Sequence, residues 1–312
     1  MQIRIWAALL AAAAGWGTTG VATRAALDAG VPPVAMVAIR SVIAAALLLA
    51  VLMIRSKPIT RDPQRWLTGT VMAAFQLSLP FVLFTLAYQY ASAGFVGMLV
   101  ALIPLATAVI ANFVLPDEPL TAAKTLGLVI AFAGVGFLLL SGDSGLAEGG
   151  RPLLAAVLSL GAILSISGSS IFAKGRADTY EPMELTWMQF TIGAVLLVIV
   201  MVVFEGIPTE MSAWGWALVV YLTVIGSLIP FVLYYWLLSK VTATKASLVG
   251  YVVPLVALGT GVVLLDERIQ LGIVVGGTLI LAGVILTDRS EKRRVQAATL
   301  ASASPPATDS PV

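Results

Sequence analysis

Any chemistry in this chain must be done without its two most versatile side chains. Its 312 residues include no Cys and no His, so thiol and imidazole nucleophiles, bases and metal ligands are absent. What remains is a sparse set of polar groups inside apolar runs. Gln76, Pro80, Phe84 and Tyr88 recur every four residues, and Ser227, Pro230 and Tyr234 share a second face by similar spacing. A Gln amide in such a run must face a protein interior or a wet cavity, because lipid offers it no partner. Ser78, Tyr251 and Asn112 fall in the same class. Trp16 and Thr19, set among Gly15, Gly17 and Gly20, offer a ring for stacking and a hydroxyl. Their counterparts in the second half are Ser165, Ser167, Ser169 and Ser170. The plainer readings are close helix contact for the glycines and hydroxyls bonded to their own backbone for the serines. The candidates for a substrate cavity are therefore Trp16, Thr19, Gln76, Ser78, Phe84, Tyr88, Ser167, Ser227, Tyr234 and Tyr251. No group of residues suggests catalysis, a metal or a cofactor.

Arg40 lies seven residues inside an apolar run, roughly 10 Å along a helix at 1.5 Å per residue. A cation there is costly unless it snorkels, finds an acid or faces water. Two readings stay open: a structural pair, with Asp28 as the candidate acid, or binding of a substrate carboxylate. Pro104 and Pro254 stand near the middle of their runs, and with Pro80 and Pro230 they are hinge candidates. Each proline removes a backbone hydrogen bond and crowds the preceding turn. Asp117-Glu118 and Asp266-Glu267 are expected to cap the helices that follow them. None of the 16 acids is near the centre of a run, so proton coupling through a membrane-buried carboxylate is not supported. A facilitator or exchanger is the more natural reading.

The elements that must position these groups are membrane helices. Hydrophobic residues make up 59% of the chain, charged ones 11%, and the mean hydropathy is +1.00, more apolar surface than a water-soluble core can hide. A window of roughly 20 apolar residues finds ten segments, near 5–26, 33–54, 66–89, 94–115, 120–140, 152–173, 182–204, 213–238, 244–265 and 269–287. With the N-terminus cytoplasmic, 14 of the 18 basic residues fall on the cytoplasmic side. Only Arg151 and Arg268 would be external, while Arg24 and Arg40 lie at or within the membrane. The positive-inside rule therefore places both termini in the cytoplasm. A net charge of +2 without a basic cluster outside the loops gives no case for nucleic acid.

The chain also reads twice. Pro80-Phe81-Val82-Leu83 returns as Pro230-Phe231-Val232-Leu233, Pro104-Leu105 as Pro254-Leu255, and Asp117-Glu118 as Asp266-Glu267. Gly127 matches Gly276, and Ala133-Gly134-Val135 matches Ala282-Gly283-Val284. Five segments per half is an odd number, so the halves would enter the membrane from opposite sides as inverted repeats. The expected division is 1–140, 152–287 and a disordered polar tail over 288–312. Thr18 to Arg24 aligns with Gly168 to Lys174, which places the N-terminal run in the folded repeat rather than in a cleaved leader.

These features resemble the EamA-type transporters of the drug/metabolite transporter superfamily. Trp16-Gly17, Pro33 with Arg40, Pro104 and Pro254, and the two Asp-Glu turns with their following glycines carry the likeness, which covers about 5 to 287. The resemblance implies a central cavity among the first, third and fourth helices of each half. Its closest look is to bacterial amino-acid and metabolite exporters, including those for aromatic amino acids. The expectation is thus an all-α, ten-helix carrier of the bacterial inner membrane that works by alternating access. It would export small organic metabolites, with amino acids as the leading class. A multidrug or organic-cation exporter is the alternative, and a non-transporting sensor or assembly subunit the alternative of another class. Its partners are a small-molecule substrate and the lipid bilayer. A monomer suffices, and a homodimer is compatible.

Overall fold

A computed structural model describes residues 2–56, 60–114, 121–142, 144–146, 149–174, 176, 181–240, 249–267 and 270–303. All regular structure among them is helical, as a chain in lipid requires, since a helix satisfies its backbone groups within itself. The first half comprises α1 (Gln2–Asp28), α2 (Pro33–Ile54), α3 (Pro63–Met72), α4 (Leu79–Ala87), α5 (Ala93–Val100), α6 (Ile103–Val114) and α7 (Ala122–Leu140). The second comprises α8 (Pro152–Lys174), α9 (Pro182–Phe204), α10 (Ala213–Thr223), α11 (Ile229–Lys240), α12 (Val249–Leu265) and α13 (Leu271–Ala303). Among the described residues eight helices are long and apolar enough to cross a membrane, and Val252–Leu265 and Leu271–Thr287 are shorter apolar helices.

Local chemistry sets the helix ends. Pro33 and Pro63 occupy first-turn positions, where a missing amide costs nothing. Asp62, Ser92, Thr121 and Ser212 accept from amides of the turns they begin. Gly30, at φ 79°, takes the left-handed conformation that closes the turn between α1 and α2.

Two long helices carry a π-turn at matching places. Residues Ala73–Ser78 join α3 to α4, and Val224–Leu228 join α10 to α11. Each ends two residues before the repeated proline, Pro80 or Pro230. The Leu79 amide donates to Ala74 O and the Ile229 amide to Val224 O, five residues back. Phe75 O and Ile225 O thereby lose their α-helical donors, and the next residue is a proline with no amide to offer. The Ser165 hydroxyl fills the first vacancy, donating to Phe75 O at 2.6 Å. The other mid-helix prolines behave differently. Pro104 lies in the first turn of α6, after a break at Ala101-Leu102, whereas Pro254 stays inside α12.

Glycine faces bring α7 and α13 into backbone contact. A Cβ on Gly134 would lie 2.6 Å from Gly276 O, one on Gly127 would lie 2.5 Å from Gly283 O, and one on Gly276 would lie 2.8 Å from Gly134 O. Gly127 is the counterpart of Gly276 and Gly134 that of Gly283, so exchanging the halves maps this contact onto itself. Large apolar side chains such as Leu126, Val129 and Phe132 on α7, and Val195, Ile199 and Val202 on α9, stay exposed on outer faces. That is the surface lipid would solvate.

Two expectations need correcting. The helix that was to end near 287 continues to Ala303, because Glu, Lys, Arg, Gln and Ala in this stretch all favour helix. Residues 304–312 lie outside the described residues. Glu267 does not cap the following helix α13. It reaches across to the other half and accepts from the Ala93 and Gly94 amides at the start of α5, at 2.6 and 3.2 Å. Asp117 and Glu118 lie outside the described residues.

Replacing Gly134 by Ala should force α7 from α13 and cost about 1–3 kcal/mol of stability. Gly136→Ala, on the same helix with open space around it, should be neutral or mildly stabilising. Melting of the two variants in detergent micelles compares them directly.

Candidate functional site

A cavity of about 420 Å³ lies between the two halves, within the range of small-molecule sites, roughly 300–1,000 Å³. It is bordered by α1, the α3–α4 and α10–α11 helices with their π-turns, α5, α6, α8 and α12, together with Arg40 of α2. Of the sequence candidates, Trp16, Thr19, Gln76, Phe84, Tyr88 and Tyr234 line it, as do Pro80, Pro104 and Arg40. Gln76, Pro80, Phe84 and Tyr88 therefore do share one face.

Other candidates are placed elsewhere. Ser78 is buried without a hydrogen-bond partner among the described residues, close to Gly193 of α9. Ser167 is buried and donates to Ile103 O at 3.2 Å. Ser227 and Pro230 do not border the cavity, whereas Gly226 and Phe231 do. The π-turn changes the phase of the helix between them, so a face drawn at four-residue spacing misses by one position. Pro254 and Asn112 also stand off the lining. The Tyr251 side chain lies outside the described residues.

Trp16 reaches the cavity because its neighbours are glycines. A Cβ on Gly15 would lie 2.5 Å from Ile225 O and from Pro230 Cγ, and one on Gly17 would lie 2.5 Å from Val256 Cβ. Backbone contact on both flanks fixes the ring between them. Its centroid is 5.5 Å from Phe231 and 5.4 Å from Tyr234, in edge-on and tilted contacts that favour both rings. Gln76 Oε1 accepts from Ser169 at 2.5 Å and Ser170 at 3.3 Å. Tyr88 stands where Gly20 leaves room, since a Cβ there would lie 2.9 Å from the phenol oxygen.

Arg40 is the centre of the polar end. Its residue is only 5% exposed. Nε donates to Ser227 Oγ at 2.7 Å and Nη2 to Gly226 O at 3.1 Å, and the guanidinium lies 4.4 Å from the Phe81 ring centroid. Gly226 is the residue whose α-helical donor would be Pro230, so the proline creates the acceptor that Arg40 uses. Gly226 has no side chain to separate Arg40 from Thr19: a Cβ there would lie 2.9 Å from Thr19 Oγ1 and 3.7 Å from Arg40 Nη2. The expected Asp28 partner is not used. Asp28 pairs with Arg24 at 3.1 Å, four residues before it on α1. Arg24 also donates to Tyr88 O at 2.9 Å, at the C-terminal end of α4. Among the described residues no carboxylate forms an ion pair with Arg40, and none borders the cavity.

Sequence reasoning missed Phe81 and Phe231, which line the cavity from equivalent positions of the repeat. The signal was present in the repeated Pro-Phe-Val-Leu, read there for its proline alone. Thr23, Thr85 and Gly226 were also missed, while Ser170, noted as a counterpart of the Trp16–Thr19 stretch, does line the cavity.

An all-helical membrane chain with a cavity of polar and aromatic groups between its halves belongs to the class of membrane carriers. The EamA-like transporter family matches residues 3–140 and again 153–288, and the chain belongs to that family. The uncharacterized transporter YoaV of Bacillus subtilis is 28% identical over 89% of this chain and 94% of its own. The uncharacterized inner membrane transporter YedA of Escherichia coli is 29% identical, covering 79% of this chain and 78% of its own. A crystal structure 20% identical in sequence has the same fold, with a TM-score of 0.64 over 92% of this chain and 97% of that one.

Two measurements follow from this geometry. Ser227→Ala removes an acceptor from a buried cation and should cost about 1.5–3 kcal/mol, read as a lower melting temperature. Glu267, between α12 and α13, has its carboxyl raised above the ordinary value, chiefly by burial, with the Ala93 and Gly94 amides and Arg24 opposing. A raised value means the folded protein holds the proton more tightly than the unfolded chain. Its contribution is therefore full below the unfolded value and is lost as pH rises through the folded one. The melting temperature of the wild type relative to Glu267→Gln should climb as pH is lowered from about 8 to about 4, and a fall would contradict the assignment.

Proposed function

We propose that this chain is a secondary transporter of ten membrane helices, arranged as two inverted five-helix repeats, that exports a small organic metabolite by alternating access. The leading cargo is an amino acid, with aromatic ones favoured. The reading places the protein in a bacterial inner membrane with both termini cytoplasmic, and a monomer as sufficient. The observation that carries it is the cavity between the halves, with the Trp16, Phe231 and Tyr234 rings alongside Thr19, Gln76 and Tyr88. Aromatic walls suit a ring, and scattered hydroxyl and amide groups suit a small polar head.

Three further points support it. The α7–α13 contact maps onto itself when the halves are exchanged, as a two-fold relation between inverted repeats requires. Helix breaks fall beside the cavity, where irregular backbone is tolerated in a membrane. The relative YedA is named an inner membrane transporter. The organic-cation alternative is the weaker one, because the lining contains Arg40 and no acid among the described residues.

Counterflow in proteoliposomes loaded with unlabelled amino acids, following labelled Trp, Phe, Thr and Leu, tests the proposal. Accumulation of one group without a pH gradient is expected. Trp16→Ala should reduce aromatic uptake about tenfold or more, the loss of roughly 1.4 kcal/mol or more of stacking and packing. Uptake only under a pH gradient would contradict the uncoupled mechanism, and no uptake by folded protein would exclude amino acids as the cargo.

A further inference from the structure

We propose that the cargo this cavity fits best is an apolar monocarboxylate anion, one carboxylate on a hydrophobic body, and that an α-ammonium group weakens binding. This rests on the transporter reading and replaces the amino-acid cargo with a carboxylate that lacks the ammonium group.

Charge inside the cavity carries the argument. Arg40 is buried, lines the cavity, and spends two of its donor groups on neutral acceptors, Ser227 Oγ and Gly226 O. Its Nη1 has no partner among the described residues. The surrounding charges do not neutralise it. Asp28 is occupied by Arg24, and Glu267 is held by the amides of Ala93 and Gly94, off the lining. Arg40 therefore sets a positive charge in a low-dielectric pocket, held through Ser227 and Gly226 of the π-turn.

A guanidinium presents paired N–H groups that match the two oxygens of a carboxylate. A monoanion arriving there leaves cargo and site neutral together. A zwitterion brings the same carboxylate and a second buried cation. For that ammonium the described residues of the lining offer neutral acceptors, such as Thr19, Gln76 and Tyr88, and Gln76 Oε1 is already engaged by two serines. Unlike the carboxylate, the ammonium gains no opposite charge for the water it gives up. The apolar remainder of the cargo has Trp16, Phe84, Phe231 and Val253 to lie against.

The test is binding to the full-length protein in detergent micelles by isothermal titration, across a series sharing one phenyl body. The probes are 3-phenylpropanoate, phenylalanine, 3-phenylpropanamide and 2-phenylethylamine. The expected order places 3-phenylpropanoate about tenfold or more tighter than phenylalanine, a difference of roughly 1.4 kcal/mol or more, with the amine weakest. In Arg40→Gln the advantage of carboxylate over amide should vanish. Arg40→Lys, which keeps the charge but not the fork, should retain part of it and guards against a folding defect in the Gln variant. Phenylalanine binding as tightly as 3-phenylpropanoate, or a carboxylate preference that survives in Arg40→Gln, would overturn the inference while leaving the transporter reading intact. Failure of every probe to bind a cooperatively melting wild type would defeat the refinement and the aromatic-cargo reading, not the family assignment.

Discussion

The structure turns on a backbone carbonyl whose α-helical donor position is filled by a proline. Pro230 cannot supply the amide that Gly226 O would accept in a regular helix, and the hydrocarbon of a membrane supplies none either. Arg40 faces the complementary problem, a cation seven residues inside a helix with no acid to pair with. Each settles the other at 3.1 Å, with Ser227 completing the contact at 2.7 Å. The pairing spans 186 residues of sequence and locks α2 of the first half to the broken helix of the second.

Much else follows from that lock. The guanidinium is held at the rim of the cavity in one place, beside Thr19 and above the Phe81 ring. The π-turn that precedes Pro230 lets Gly226 and Phe231 face inward while Ser227 turns toward Arg40. Its counterpart before Pro80 presents Gln76 from the opposite wall, with Phe75 O satisfied by Ser165. Carbonyls one position apart in the repeat are thus met differently: Gly226 O receives a charge, and Phe75 O, the counterpart of Ile225 O, a hydroxyl. Gln189 stands at the position of Arg40 in the second half and is buried with neither amide atom partnered among the described residues. The polarity of the cavity is correspondingly lopsided, with its charge contributed by one half alone.

The sequence shows the architecture more readily than the site, for physical reasons. Apolar length and proline placement are local properties, and they locate the long helices and the Gln76–Tyr88 face. The π-turns are not local in this sense. Inserting one residue into a helical turn leaves no mark on a hydrophobic pattern, so the spacing points to Ser227 as a cavity residue, where the lining instead has Gly226 and Phe231. Long-range acceptors were equally hidden. Glu267 is four residues before α13 and 173 or 174 residues from the amides it caps, and its own spacing points to the wrong helix. Asp28 is a candidate partner for Arg40 only because few acids lie so near a membrane run, and an acid four residues after Arg24 on one helix pairs with that neighbour first. The serines illustrate a third limit. Hydroxyls that can bond their own backbone, as Ser169 and Ser170 do, carry no sequence sign of which will also meet Gln76.

The central claim is that the space between the halves is a route for cargo and not a packing defect. The chain contains no cysteine, so Thr19→Cys would carry the sole thiol, on the cavity wall. Reactivity of that thiol toward a small, anionic, membrane-impermeant methanethiosulfonate reagent should be measured with 3-phenylpropanoate or phenylalanine present and absent. Modification that either compound slows, with Leu140→Cys on the outer surface unaffected by both, is the result this account predicts. A Thr19→Cys thiol that no reagent reaches from either side of the membrane, or that reacts at a rate neither compound changes, would contradict it.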